Sequence, residues 1–294
     1  MYYSATSLKK YISCPRKFKH MYIDKVYPII DKPERLARGT NIHELLDYYK
    51  SKRMKFNPVL PDITLSLSDK IMAELWNIHY KNDGLTYVSS EKRFSTQIKG
   101  VKFKGILDGI VEDKFGNTCI IEHKTTSKVV NEDYFLTVNF DTQVLLYALC
   151  CKYMGYKIDY VIYDVIRLIN KKKLVKTANP EYYKRDCKYG KKGDLKPGNR
   201  LEDETHSEYK NRIINFAKDN IRTHLVRREI PIEDSELIKF EKDLFQIIRS
   251  IKAGAFYKNQ NACKKGRFLC DYFLVCNDEI TLDNREFFSE NYQG

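Results

Sequence analysis

The chain has no run of apolar residues approaching the ~20 needed to cross a bilayer. Its opening stretch, MYYSATSLKKYISC, carries no apolar segment of the kind that heads a secretory signal. A soluble cytoplasmic protein with no membrane partner is the expectation. Gly/Ser-rich linkers and internal repeats are also missing, so the 294 residues are expected to form one domain, 1–294, large enough to bury a substantial core. No basic amphipathic helix stands out, which leaves the positive charge without a membrane explanation. That charge is large: 52 Lys and Arg against 39 Asp and Glu give +13. A polyanionic partner follows, and nucleic acid is the commonest one.

Secretion signals being absent, the eight cysteines read as metal ligands or core residues rather than disulfides. Cys119 lies in an apolar strand, Cys150 and Cys151 in an apolar helix, and Cys187 in a basic loop. Cys263, Cys270 and Cys276 are different, being clustered in a short polar tail, CKKGRFLCDYFLVC. Three thiolates need a fourth ligand to hold zinc or an iron–sulfur cube. Cys14, followed by Pro15 and far from the apolar runs, is the best candidate. The bland alternative is three half-buried cysteines packing a terminal helix.

Along the chain, residues 4–22 read as a helix with Leu8, Tyr11 and Ile12 at helical spacing, interrupted or restarted at Pro15. Gly39 and Thr40 precede an amphipathic helix carrying His43, Leu46 and Tyr49. His43–Glu44 opens like a zinc-protease motif, but position 47 is Asp rather than His, and that reading fails. Residues 51–83 read as a helical insertion and 85–98 as a first strand. An apolar helix over 140–155 ends at Gly155, a buried strand spans 159–169, and helices fill 203–228 and 233–253. Between them, residues 170–200 hold 11 Lys and Arg against 3 Asp and Glu. Tyr182, Tyr183 and Tyr189 are interleaved with those charges, as in a phosphate-tracking arm with stacking rings; a solvated loop has the same composition.

The chemistry concentrates in 105–126, GILDGIVEDKFGNTCIIEHKTT. Alternating residues, a tight Asp113–Asn117 connection and a second apolar run describe two antiparallel strands. Glu122 and Lys124 are two apart, so both leave the same face of a strand. A hairpin would bring Asp108 beside Glu122. Two carboxylates and an amine at one place are costly unless a cation joins them, and Mg²⁺, which favours carboxylate oxygens, is the natural guest. A salt-bridged strand end would carry the same letters. Gln143 and Tyr147, four apart, share one face of the following helix and suit either phosphate positioning or core packing.

Taken together these pieces resemble the RecB-like branch of the PD-(D/E)XK nucleases. Its phage and prophage members with an iron–sulfur cluster are the most similar, and CRISPR-associated RecB-like exonucleases are related. The resemblance runs in order through SLKKYISCPRKF (7–18), GTNIH (39–43), GILD (105–108), EHK (122–124) and QVLLY (143–147). YDVIR (163–167), GNRLEDET (198–205) and the terminal cysteines complete it. One departure is Asp271 after Cys270, where relatives often carry proline.

The resemblance implies an α/β fold with a restriction-endonuclease-like core, a mixed sheet of four or five strands flanked by helices. Asp108, Glu122 and His43 would bind Mg²⁺ or Mn²⁺. Lys124 would position or polarise the attacking water, or neutralise developing charge. Gln143 and Tyr147 would position the DNA strand. Cys14, Cys263, Cys270 and Cys276 would hold a 4Fe–4S cluster clamping the chain ends, with zinc as the alternative. The implied activity is an exonuclease acting on DNA ends in phage recombination or replication, with a recombination or helicase partner. Competing readings are a DNA-end-binding accessory with a weak site and a zinc-stabilised nucleic-acid-binding module.

Overall fold

In the computed structural model, which describes residues 1–29, 34–56, 58–136, 138, 141–266 and 268–290, the chain opens with β1 (Tyr2–Tyr3) and α1 (Ala5–Ser13). Ser4 caps α1: its hydroxyl accepts the Ser7 N–H while the Ser7 hydroxyl accepts the Ser4 N–H. Pro15 starts α2 (Pro15–Phe18), at a helix position where the missing N–H costs nothing. After β2 (Tyr27–Pro28) comes α3 (Glu34–Arg53), which begins upstream of the expected start. Gly39 and Thr40 therefore lie inside this helix. Of the expected insertion 51–83, only the end of α3 and α4 (Leu67–His79) are helical.

The next three strands are β3 (Thr86–Ile98), β4 (Val101–Glu112) and β5 (Thr118–Thr126). Gly100 (φ +81°) and Gly116 (φ +85°) turn the two connections through backbone space that side-chain-bearing residues avoid. Then follow α5 (Glu132–Phe135), α6 (Thr142–Tyr153), β6 (Tyr160–Arg167) and α7 (His206–Asp219). The helix expected to run to 228 stops early. After a single turn, α8 (Ile221–His224), the chain extends as β7 (Leu225–Pro231). Pairing along the buried β6 overrides helical propensity there. The chain closes with α9 (Asp234–Lys252), β8 (Lys264–Lys265), β9 (Phe268–Leu269), α10 (Phe273–Cys276) and β10 (Phe288–Ser289).

Six strands form one mixed sheet. β4 carries β3 along one edge; its other edge carries β1 at Lys102–Phe103 and β5 at Gly109–Glu112. β5 pairs parallel with β6, and β6 pairs antiparallel with β7. Helices α1, α6 and α9 cover one face, where Leu8, Phe103, Leu146, Val161 and Leu244 share a core. Helices α3, α4 and α7 cover the other, with Leu46, Trp76, Ile166 and Ile213. A strand buried on both sides is apolar throughout, as β6 is over its buried stretch 161–166 except at Asp164. Among the described residues no helix is long and apolar enough to cross a membrane.

The basic stretch 170–200 forms no regular strand or helix; isolated bridges join Tyr182 to Leu195 and Cys187 to Gly190. The chain ends do meet. The Arg16 N–H donates to the Tyr257 carbonyl (3.1 Å), Asn259 to the Ser13 carbonyl (2.7 Å), and Lys17 pairs with Asp271 (2.6 Å). Tyr272, fully buried between His20 and Phe288, donates to the Val26 carbonyl at 2.6 Å. Burial raises the Cys276 thiol, and the nearby thiols of Cys270, Cys14 and Cys263 raise it further. Among the described residues, however, these four do not form a group whose sulfurs all lie within 4.8 Å of one another. Hydrogen bonds, an ion pair and packing hold the two chain ends together here.

Candidate active site

The site lies where β4 loses its partner. Pairing between β4 and β5 ends at Gly109↔Ile121, so Asp108 falls in the unpaired gap between β1 and β5. Side chains take over the ladder's work. The Asp108 carboxylate accepts the His123 N–H at 2.7 Å, and the Lys50 ammonium donates to the Asp108 carbonyl at 2.7 Å. Lys50 comes from α3 and is fully buried, which an ammonium tolerates only with such partners. Three residues upstream of Asp108, Gly105 lets two rings close over the strand. A Cβ there would meet Phe94 at 2.7 Å and Tyr147 at 2.9 Å.

Glu122 and Lys124 leave one face of β5 side by side and are joined by an ion pair. Gln143, on the first turn of α6, donates to Glu122 Oε1 at 2.5 Å and accepts from Lys124 at 3.1 Å. Glu122 is 2% exposed, and its second oxygen has no hydrogen-bond partner among the described residues. His43, from α3, places Nδ1 3.7 Å from Asp108 Oδ1. Tyr147 is buried edge-on against Phe94 and walls the site from below, beside Gln143.

The ligand atoms of His43, Glu91 and Asp108 lie within 4.8 Å of one another. Glu91 is the residue that the sequence reading missed. It stands on β3 between Ser90, paired with Gly109, and Lys92, paired with Leu107, and so lies opposite Asp108. Its backbone is left-handed (φ +45°), in a strand that shifts register just upstream. No motif announces it; only the strand register could have. No motif marks Lys50 either, yet it lies 3.8 Å from Glu91 as well as bonding Asp108.

Burial opposes the charge on Asp108, but the hydrogen bond and charge of His43, then His123 and Lys50, hold its carboxyl far below the usual range. Glu122 goes the other way. Burial, then the charge of Asp108, push it up to about 7 against the attraction of Lys124 and His43. His43 is raised despite burial, by Asp108, and Lys124 is raised despite burial, by Glu122. Burial and the neighbouring Asp108 charge thus favour the protonated form of Glu122 beside an ionised Asp108. An orphaned buried carboxylate oxygen and a set of carboxylates with one imidazole fit a hard divalent ion such as Mg²⁺ or Mn²⁺.

Behind the site, on the opposite face of β5, His123 is buried and held neutral. Burial lowers it to about 4, with Nδ1 3.1 Å from Asp164. Asp164 also accepts the Trp76 indole N–H (2.7 Å) and lies 3.3 Å from Arg227, which in turn pairs with Asp83. This buried polar layer fixes the strand position that offers its N–H to Asp108.

Fold and site together define an α/β protein built to hold a divalent cation between acidic strands, with a lysine beside it. The chain belongs to the PD-(D/E)XK nuclease superfamily, whose sequence profile matches residues 2–277; its members are metal-dependent nucleases. Two similar solved structures are an Eubacterium rectale protein titled "Putative exonuclease" and the protein SSO0001. The first is 12% identical, covering 96% of this chain and 90% of that one, with a TM-score of 0.48. The second is 13% identical, covering 95% and 87%, with a TM-score of 0.37. No curated protein matches the chain.

Proposed function

We propose that this protein is a Mg²⁺- or Mn²⁺-dependent deoxyribonuclease of the RecB-like kind, hydrolysing phosphodiesters from DNA ends as an exonuclease. The observation that carries the reading is the group of His43, Glu91 and Asp108, whose ligand atoms lie within 4.8 Å of one another, together with the buried, unpartnered oxygen of Glu122 on the adjacent strand, whose other oxygen pairs with Lys124. His43, Glu91, Asp108 and Glu122 would hold the cation. When bound, that ion supplies an acidified water and Lewis acidity at the phosphate.

The chain's own groups do the rest. Lys124, tethered by Glu122 and Gln143, brings a fixed positive charge to where negative charge builds on the phosphate oxygens. In a partly dry site such a charge counts for more than in water. Gln143 holds Glu122 and Lys124 in register, and Tyr147 supports that helix face from beneath. The +13 net charge and the lysines of 170–200 favour a polyanion.

The finer setting is phage or prophage recombination or replication in a bacterial cytoplasm, with a recombination or helicase partner. The gathered thiols of Cys14, Cys263, Cys270 and Cys276 would carry a 4Fe–4S cluster, a soft-ligand set that also suits zinc. The deciding experiment incubates end-labelled linear and circular DNA with the protein, with and without Mg²⁺ or Mn²⁺. Metal-dependent shortening of the linear form only is expected. Cleavage that persists in Asp108→Asn, or without metal, refutes the assignment.

A further inference from the structure

Beside the acidic centre lies a cleft of about 450 Å³, lined by Lys128, Asn131, Asp133, Tyr134, Asp141 and Tyr163 among others. We propose that this cleft receives the nucleobase adjacent to the cleaved phosphodiester, so that the strand entering the site is unpaired there. The inference rests on the nuclease reading and adds the substrate's form to it.

Position is the first argument. Tyr163 on β6 is the register partner of Glu122, so the cleft's floor is one strand away from the catalytic carboxylate. Its wall is as close: Asp141 accepts the Gln143 N–H at 2.7 Å, and the Gln143 side chain accepts from Lys124 at 3.1 Å. A phosphate held at Lys124 therefore has its neighbouring sugar and base within reach of this cleft. The volume falls in the range of sites that hold one small-molecule unit.

Chemistry is the second argument. Asp133 and Asp141 line the cleft, and two carboxylates repel a phosphate. Asp141 is already occupied: it pairs with Lys9 at 2.8 Å and caps α6 by accepting the Gln143 N–H. Asp133 is exposed and has acceptor capacity for the ring and amino N–H groups of a base. Half-buried Tyr134 provides aromatic surface, and stacking on such a ring tolerates any base; Tyr163, buried against Phe135, forms only the floor. Tyr134 is held in place because the Asn131 side chain accepts its backbone N–H at 3.1 Å. Lys128, exposed at the cleft, suits the next phosphate along the strand. A base paired in a duplex cannot enter this cleft without leaving its partner, so single strands and frayed ends are the preferred substrates.

The test uses single-stranded oligonucleotides with 2-aminopurine at each of the four terminal positions in turn, mixed with the full-length protein in EDTA so that nothing is cut. Quenching concentrated at one position is expected. It should be lost in Tyr134→Ala and kept in Tyr134→Phe, both checked for native melting. An abasic nucleotide at that position should weaken binding to the wild-type protein about fivefold or more, the lower end of what one stacked base contributes. The same abasic strand should cost Tyr134→Ala nothing further. Equal quenching at all positions, or an abasic penalty undiminished in Tyr134→Ala, overturns the proposal. The nuclease reading fails separately, on cutting by Asp108→Asn. Loss of cutting there with unchanged behaviour in Tyr134→Ala sinks the base cleft alone.

Discussion

Replacing Glu122 by glutamine should make the metal-free protein more stable at neutral pH while removing its ability to hold a cation. Glu122 is buried, and its carboxyl is pushed by burial and by Asp108 from an ordinary 4.5 up to about 7. That value already includes the opposing attraction of Lys124 and His43. Between these two pH values the folded protein keeps a proton that the unfolded chain has released, so stability falls as pH rises through the interval. At about 1.4 kcal/mol per pH unit, the penalty above pH 7 is on the order of 3 kcal/mol. Asp108 acts in the opposite sense and elsewhere. Its carboxyl is held low, so its contribution is complete above its unfolded value and is lost only in acid. Glutamine keeps the shape, and its carbonyl can still accept from Lys124 and Gln143. Thermal melts in EDTA check this at pH 5 and pH 8. Glu122→Gln should melt roughly 6 °C or more above wild type at pH 8, since 1 kcal/mol moves the midpoint of a chain this size by about 2–4 °C. At pH 5 the gap should mostly close. Adding Mn²⁺ should raise the wild-type midpoint and leave the variant unmoved. A variant that is less stable than wild type at pH 8 would refute the reasoning.

Lys124→Ala should reduce kcat far more than it raises KM, and Lys124→Arg should rescue poorly because a guanidinium is broader than an ammonium; steady-state kinetics read the split, and a pure KM defect makes Lys124 a phosphate contact. Lys50→Met should cost about 2 kcal/mol in urea denaturation, because it leaves the buried Asp108 carbonyl without its donor. It should also weaken Mn²⁺-dependent cutting by freeing the Asp108 backbone, whereas a variant of wild-type stability would show that the bond is incidental. Cys14→Ser and Cys270→Ser should each bleach a brown, anaerobically purified protein and lower its midpoint, while Cys150→Ser should leave its colour unchanged; a colourless wild type with stoichiometric zinc selects the other metal.

Asp108, Glu122 and Lys124 were legible because a strand alternates faces, and that periodicity survives without knowledge of the fold. His43 followed from the family pattern alone. Glu91 was not legible, since nothing local distinguishes it: its place opposite Asp108 exists only once β3 and β4 are in register. The same holds for Lys50, whose charge makes it look like a surface residue on α3 and whose burial is a tertiary fact. β7 was misread as helix because Arg227, Arg228 and Glu229 hide the strand pattern of Leu225, Val226 and Ile230. Its partner β6 supplies the hydrogen bonds that decide the matter. The cysteines taught the reverse lesson. The family resemblance implied that the chain ends meet, and the packing of Tyr272 and the Lys17–Asp271 pair bring them together.

The break in the β4–β5 ladder explains why two carboxylates of similar chemistry end up so different. A buried backbone donor needs a partner, so where β4 parts from β5 the His123 N–H finds another acceptor in Asp108. That bond commits one Asp108 oxygen and favours its charged form. His43 and Lys50 then reinforce the charge, so Asp108 is a fixed anion with or without a cation nearby. Glu122 sits one residue before that N–H on the opposite face, within a continuous strand, and receives only side-chain donors on a single oxygen. Its other oxygen is buried and idle, which is costly in the empty site and becomes useful only when a cation arrives. The sheet break thus makes one carboxylate part of the scaffold and leaves the other as the responsive ligand. With Glu122 in the proposed ligand set, metal binding would be coupled to the release of its proton, and the affinity for a divalent ion should climb as pH rises toward and past 7.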